Sequence, residues 1–516
     1  MSMRIGVDVG GTNTDAALMS GASVIASTKT PTTADIASGV VDAIKRVLLK
    51  GNADASQVHS VMIGTTQFTN AFVERSRLSQ VGVIRLGLPA SESLPPLSGW
   101  PSDLKQVMGE NIFMLRGGHE VDGREISALD KAGLVSAAAE LRQAGVKSIA
   151  ISSIFSPINS AMELRASKVI RGAYPDSSIT IASEIGRIGL IERENAAIMN
   201  ASLADLSKNV VGAFRLALKT LHLDCPFFIS QNDGTLMSAE YVERYPVLTF
   251  ASGPTNSMRG AAYLTRLEDA IVVDIGGTTS DIGALHKGFP RESSVPVDIG
   301  RVRTNFRMPD VLAIGLGGGS IVHDGGLQIG PDSVGYKLTR EALVFGGQTL
   351  TATDIAVAAG YANVGDPQRV RGKLPAALVE TAVSTIHAML EEGISRMKTS
   401  VADVPVILVG GGSILVSRPL KGVSELLIPD RFAEANAIGA AIAQVGGECD
   451  RVFLYSKLGR EKSLEEAKRE AREKAINAGG APQSVKIIDV QEVPLGYGSD
   501  QTFRLRVKAV AELNIA

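Results

Sequence analysis

The sequence predicts an α/β protein made of two similar halves around a cleft, with a small β-containing extension at the C-terminus. Three observations carry that reading. Short Val/Ile-rich runs alternate with helical periodicity along most of the chain. The stretch DVGGTNTDAA (residues 8–17) has a counterpart in DIGGTTSDIG (residues 274–283), each an Asp closing an apolar run, then Gly-Gly-Thr, then a second Asp at the same offset. Near residue 463 the text turns charged and is followed by two strand-like runs.

Along the chain, buried strands are expected at RIGVDV (4–9), QVGVIRL (80–86), VKSIAISSIF (146–155), SSITIAS (177–183), AIVVDIG (270–276) and VPVILVG (404–410). Amphipathic helices fall between them. Residues 35–50 put Ile36, Val40, Ile44, Val47 and Leu48 on one face, and residues 374–397 do so with Val379, Val383, Ile386, Leu390 and Met397. From Ile185 a long helical segment begins, which sets a boundary there. In residues 463–478 an apolar stripe of Leu464, Ala467, Ala471, Ala475 and Ile476 on a charged background reads as a surface helix. Phe503, Leu505, Val507 and Ala509 then alternate with period two. Three units follow: 1–185 and 186–462, each with one copy of the turn, and 463–516.

Composition narrows the function. Of 516 residues 45% are hydrophobic and 21% charged, enough to bury two or three cores. The 52 basic and 54 acidic residues leave no net field for polyanions, and no basic cluster with interleaved aromatics occurs, which argues against nucleic-acid binding. Cys225 and Cys449 are too few for a disulfide framework or a cysteine-rich zinc module. MSMRIGVDVGG enters a strand directly, and no stretch approaches the roughly 18 apolar residues of a membrane span. The expectation is a cytoplasmic protein with no membrane partner.

The repeated turn suits phosphate. Glycines let the backbone approach a ligand, and successive N–H groups then face one concavity. This applies to Gly10, Gly11, Thr12 and Asn13, and to Gly276, Gly277, Thr278 and Thr279. Asp8 and Asp274, at the strand ends, stand where a Mg2+ ion bridging nucleotide phosphates is held. Gly410, Gly411 and Gly412 end another buried strand and offer a flat backbone surface to an adenosine; a plain strand-turn-helix junction is the alternative. No GxxxxGK[ST] and no GxGxxG after the first strand is present. The three features, in this order, resemble the actin, sugar kinase and heat-shock ATPase superfamily, which implies ribonuclease H-like halves.

Further segments are similar to the hydantoinase/oxoprolinase family, in its hydantoinase A-type chain. They are IGTTQFTNAFVERS (63–76), FISQNDGTLMS (228–238), FASGPTNSMRGAAYL (250–264), IGLGGGSIVHDGGLQIGPDSVG (314–335) and LTATDIAVAAG (350–360). The resemblance runs from about residue 4 to residue 445. It implies ATP- and Mg2+-dependent opening of a cyclic amide such as a hydantoin or 5-oxoproline, with a hydantoinase B-type subunit or a second copy as partner. ATP would phosphorylate the amide oxygen and make the carbon electrophilic. Asp8 or Asp281 would orient the attacking water; the residues do not choose between them. Thr65, Thr66 and Asn70 either bind the ring carbonyl or cap a helix, and Asn232 and Asp233 either close over the site or form an ordinary turn. His323, beyond the Gly317–Ser320 loop, is a metal or acid/base candidate or a surface group. The chain departs from the family at Ile63 and Ser183, where histidines are usual. A small-molecule kinase and a nucleotide-gated binding protein are the competing functions.

Overall fold

In a computed structural model of the chain, residues 3–11, 13–33, 35–496 and 501–514 are described. The first half is organised on a nine-stranded sheet in which the strand Met3–Val9 is third from one edge. That strand runs antiparallel to Asn13–Ser20 and parallel to Val58–Thr65. Ser23–Pro31 forms one edge, and beyond Val58–Thr65 the sheet continues through Phe227–Ser230, Leu236–Ser238 and Val445–Leu454. The strands Thr502–Ala511 and Lys486–Pro494, an antiparallel pair, complete the other edge. A separate four-stranded parallel sheet contains Val81–Leu88, Ile112–Arg116, Ser148–Ser153 and Ser178–Ile181.

The second half repeats the plan. Ala270–Ile275 is antiparallel to Ser280–His286 and parallel to Val404–Val409, which pairs in turn with Val423–Leu427. The helix Ala376–Met397 covers this sheet with Val383, Ile386, Leu390 and Met397, the face that periodicity predicts. In the first half the helix Ile36–Lys50 buries Val40, Ile44, Val47 and Leu48 in the same way. It starts where the Asp35 carboxylate accepts the Ser38 N–H at 3.0 Å, which satisfies one of the unpaired amides of a helix N-terminus. Two halves of the actin-like kind, with β structure added after the second, are thus present as the sequence leads one to expect.

The chain passes between the halves twice. Helix Ser252–Thr265 leads out of the first sheet into Ala270–Ile275, and helix Ala435–Ile442 leads back to Val445–Leu454. The two helices pack backbone against backbone. A Cβ on Gly260 would lie 1.8 Å from the Ala435 carbonyl oxygen, and one on Gly439 would lie 1.8 Å from that of Asn256. No other residue fits at either position. Among the described residues, no helix is long and apolar enough to cross a membrane.

Candidate active site

Strand alternation decides which way the two leading acids point. In Met3–Val9, Ile5, Val7 and Val9 enter the main core of the first half, which turns Gly6 and Asp8 toward the crossover helices. In Ala270–Ile275, Ile271, Val273 and Ile275 enter the second core, and Asp274 is turned in the same sense. Both hairpins have one register: Asp8 lies opposite Asp15, and Asp274 opposite Asp281. Their tips also match, since the Gly10 N–H donates to Asn13 O at 3.0 Å and the Gly276 N–H to Thr279 O at 2.9 Å. Gly11, Gly277, Thr278 and Thr279 are exposed, and a Cβ on either glycine would meet nothing within 4 Å. Thr12 lies outside the described residues.

A glycine on the neighbouring parallel strand makes room for each acid. Gly64 is in register with Asp8, and Gly410 follows Val409, the register partner of Asp274. A Cβ at Gly64 would stand 2.2 Å from Asp8 Oδ1, and one at Gly410 would stand 2.2 Å from Asp274 Oδ1. Gly411 is exposed with open space beside it, whereas Gly412 is buried against Ile275 and the Gly276 carbonyl. The Gly317–Ser320 loop stacks on the second tip: the Gly318 N–H donates to Gly276 O at 2.9 Å and the Gly319 N–H to Gly277 O at 2.7 Å.

Consecutive residues of one crossover helix hold the acids of both turns. Asn256 Nδ2 donates to Asp8 Oδ1 at 3.1 Å, and the Ser257 hydroxyl donates to Asp274 Oδ2. From the other crossover helix, Asn436 Nδ2 donates to Asp8 Oδ2 at 3.0 Å and to Asp15 Oδ2 at 2.9 Å. Lys29 Nζ lies 2.8 Å from the same Asp15 oxygen. The acids of the two turns therefore share one electrostatic site. Burial pushes Asp8 up to about 6, against the amide of Asn256, and the charges of Asp15 and Asp274 add to the rise. Burial likewise raises Asp274, and burial with the nearby Asp274 charge pushes Asp281 up to about 7.

The raised carboxyls set a pH dependence. Between about pH 4 and 7 the native state binds protons at Asp8 and Asp281 that the unfolded chain has already lost, so stability falls as pH rises through that window. Asp281→Asn is expected to raise the thermal midpoint of the metal-free protein by several degrees at pH 8. The gain should fade toward pH 4. Scanning calorimetry at the two pH values checks this, and a gain equal at both would refute the assignment.

The donor types suit Mg2+: Asp8 and Asp274 are carboxylates close enough for one charge to act on the other, and the turns that follow them carry hydroxyl-bearing tips. Among the described residues no group of three or more His, Cys, Asp or Glu forms a closed metal cage.

The remaining candidates divide between the first turn and other places in the fold. Thr65 is buried, and its hydroxyl accepts the Gln67 N–H at 3.3 Å at the start of helix Gln67–Val73. Thr66 donates to Val9 O of the first hairpin at 3.5 Å and accepts from Asn70 Nδ2 at 3.4 Å. Both Thr66 and Asn70 thus sit beside the first turn. Asn232 is buried; its amide donates to Val247 O and Arg307 O, both at 3.0 Å, and accepts the Ala251 N–H at 2.7 Å. Asp233 accepts from Thr235 and from Lys508 Nζ at 2.9 Å and pairs with Arg307. Burial alone would raise its carboxyl, but the Lys508 and Arg307 charges outweigh it and hold Asp233 far below the usual range. Arg307 also pairs with Glu448, which meets Arg506; Arg187 bridges Glu292 and Asp450, and Arg504 closes on Asp450. His323 is at the surface, 2.9 Å from Asp332.

Known proteins share this architecture. The model of the hydantoinase/oxoprolinase N-terminal region matches residues 4–174, and the hydantoinase/oxoprolinase model matches residues 193–407. The chain belongs to the hydantoinase/oxoprolinase family. It is 29% identical over 390 residues to caprolactamase subunit alpha of Pseudomonas jessenii, covering 69% of this chain and 54% of that protein. It is 26% identical over 399 residues to the acetophenone carboxylase gamma subunit of Aromatoleum aromaticum, covering 70% and 53%. The chain thus spans about half the length of these curated relatives. The crystal structure of the ATP-dependent caprolactamase of P. jessenii superposes with a TM-score of 0.80 at 20% identity, over 99% of this chain and 88% of that one. A nucleotide-free acetone carboxylase gives 0.69 at 18%, over 99% and 88%. These likenesses establish the fold.

Sequence reasoning did not single out Gly64, Asn256, Ser257, Asn436 or Lys29 in this hydantoinase/oxoprolinase chain. One signal was available: Asn436 is the sole polar side chain in Ala435–Ile442, ANAIGAAI, and a polar group inside an apolar helix asks for a partner.

Proposed function

We propose that the chain uses ATP and Mg2+ to open a cyclic amide of the hydantoin or 5-oxoproline type through a phosphorylated intermediate. The observation that carries this is the convergence of two identical Gly-Gly tips, each backed by an acid, with both acids held from Asn256 and Ser257 of one helix. Gly10, Gly11, Thr12 and Asn13 would face phosphate from one side, Gly276, Gly277, Thr278 and Thr279 from the other, and Gly410–Gly412 would take the adenosine. Asp8 and Asp274 would hold Mg2+, which neutralises charge on the transferring phosphoryl group when bound.

Transfer of the γ-phosphoryl group to the amide oxygen forms an O–P bond and releases ADP. A first water adds to the carbon and the C–N bond breaks, leaving the ring nitrogen as an amine and the carbon as an acyl phosphate; a second water then attacks that carbonyl carbon and expels phosphate, giving the free carboxylic acid. Asp281, with a carboxyl near 7, is suited to accept the proton of the first water; Asp8 is the other candidate. Thr66 and Asn70 lie beside the first turn and would orient the ring. The names of the relatives support the reading, because one acts on a lactam with ATP and both are subunits. A second, B-type subunit or a second copy of the chain is therefore proposed as partner.

Purified protein incubated with ATP, Mg2+ and a panel of hydantoins, 5-oxoproline and caprolactam should release ADP and phosphate together with a ring-opened acid, in a ring-dependent manner. A stable phosphorylated compound would replace this reading by a kinase. ADP release indifferent to every ring compound would remove the amide from the reaction.

A further inference from the structure

The ionic network around Asp233 is unbalanced. Among the described residues it contains four carboxylates, those of Asp233, Glu292, Glu448 and Asp450. It contains five cations: Arg187, Arg307, Arg504, Arg506 and Lys508. Every cation has a carboxylate partner, but the network as a whole carries one positive charge in excess, in a region where Asp233 and Lys508 are almost wholly out of water. Such a charge is costly unless an anion or solvent meets it.

The network opens onto a cavity of about 420 Å³, with Arg187 and Arg307 in its wall. Their side chains keep 15% and 21% exposure, so both guanidinium groups remain reachable. Of the other charged groups of the wall, Lys474 pairs with Glu470 at 2.8 Å, Glu184 pairs with Arg244 at 2.7 Å, and Glu448 and Asp450 belong to the network, where Arg506 and Arg504 hold them. Ile185, Met237 and Leu248 make another part of the wall apolar. An inorganic ion would have no use for that surface.

We propose that this cavity binds a small organic monoanion, its carboxylate meeting Arg187 and Arg307 and its hydrocarbon body lying on Ile185, Met237 and Leu248. A planar guanidinium offers a carboxylate paired donors, and a cavity of this size suits a ligand of a few carbon atoms. The site stands independently of the ATP reading, since its occupancy can be measured without nucleotide.

Titration calorimetry of the full chain at low salt, without ATP, tests it with three probes: 5-oxoproline, its uncharged ring 2-pyrrolidinone, and the opened form glutamate. One of the two carboxylates should bind saturably at one site per chain, and 2-pyrrolidinone about tenfold more weakly or worse. A preference for 5-oxoproline makes the cavity a place for closed rings, and a preference for glutamate makes it a place for the opened acid. Asn477 lines the cavity at the exposed end of helix Arg460–Asn477 and takes no part in the network. Asn477→Asp should weaken binding about fivefold and Asn477→Lys should strengthen it, with unchanged thermal midpoints. No carboxylate binding, equal binding of 2-pyrrolidinone, or affinities indifferent to both Asn477 variants would each overturn the proposal.

Discussion

Asp274→Ala is expected to abolish magnesium-dependent nucleotide binding, by about a hundredfold or more, while leaving the protein folded. Asp274 is a desolvated acid raised by burial, and it accepts a hydrogen bond from the hydroxyl of Ser257. Removing it relieves a buried charge, so the thermal midpoint should hold or rise. The loss falls on the ligand side alone. Fluorescence titration with a labelled ADP, with Mg2+ and with a chelator, reads this directly. Ser257→Ala keeps the charge but frees its orientation, and should cost about tenfold, whereas Ser257→Thr, which restores a hydroxyl, should recover most of it. Wild-type affinity in Asp274→Ala would show that the second turn does not bind the nucleotide.

Gly439→Val should be the most damaging single change to stability. Its first side-chain carbon would fall 1.8 Å from the Asn256 carbonyl oxygen, a contact with main chain that no rotamer change relieves. Separating the crossover helices also pulls Asn256 and Asn436 away from Asp8. A loss above about 3 kcal/mol is expected, from overpacking combined with a broken buried polar cluster. Gly411→Ala is the control, because a Cβ there meets nothing within 4 Å, and it should change stability by less than about 1 kcal/mol. Urea unfolding followed by circular dichroism compares the two. Equal midpoints would mean that the helices are not packed as described.

Much of this was legible because it is local. Short Val/Ile-rich runs gave the buried strands, period-3.6 runs gave the covering helices, and the repeated Asp-x-Gly-Gly-Thr gave two equivalent hairpins whose tips and registers do match. The polar framework was not legible, because its partners are remote in sequence: Asn256 reaches Asp8 from 248 residues away and Asn436 from 428. Asn232-Asp233-Gly234 illustrates the same limit. Its residue types signal a turn, but the partners of Asp233 come from Arg307 and Lys508, which no short window contains. At Thr65 the hydroxyl accepts the Gln67 N–H, while the N-cap position of the helix falls on Thr66, whose side chain makes no capping bond.

The two crossovers also order events during synthesis. Leu236 and Val445 are paired neighbours in the first sheet, yet the entire second half lies between them in the chain. While that half emerges from the ribosome, the strand Leu236–Ser238 is an open sheet edge with unpaired amides, a template for misplaced strands. The nascent chain must keep that edge occupied or shielded until Val445–Leu454 arrives. The first half to be made is therefore the last to be finished.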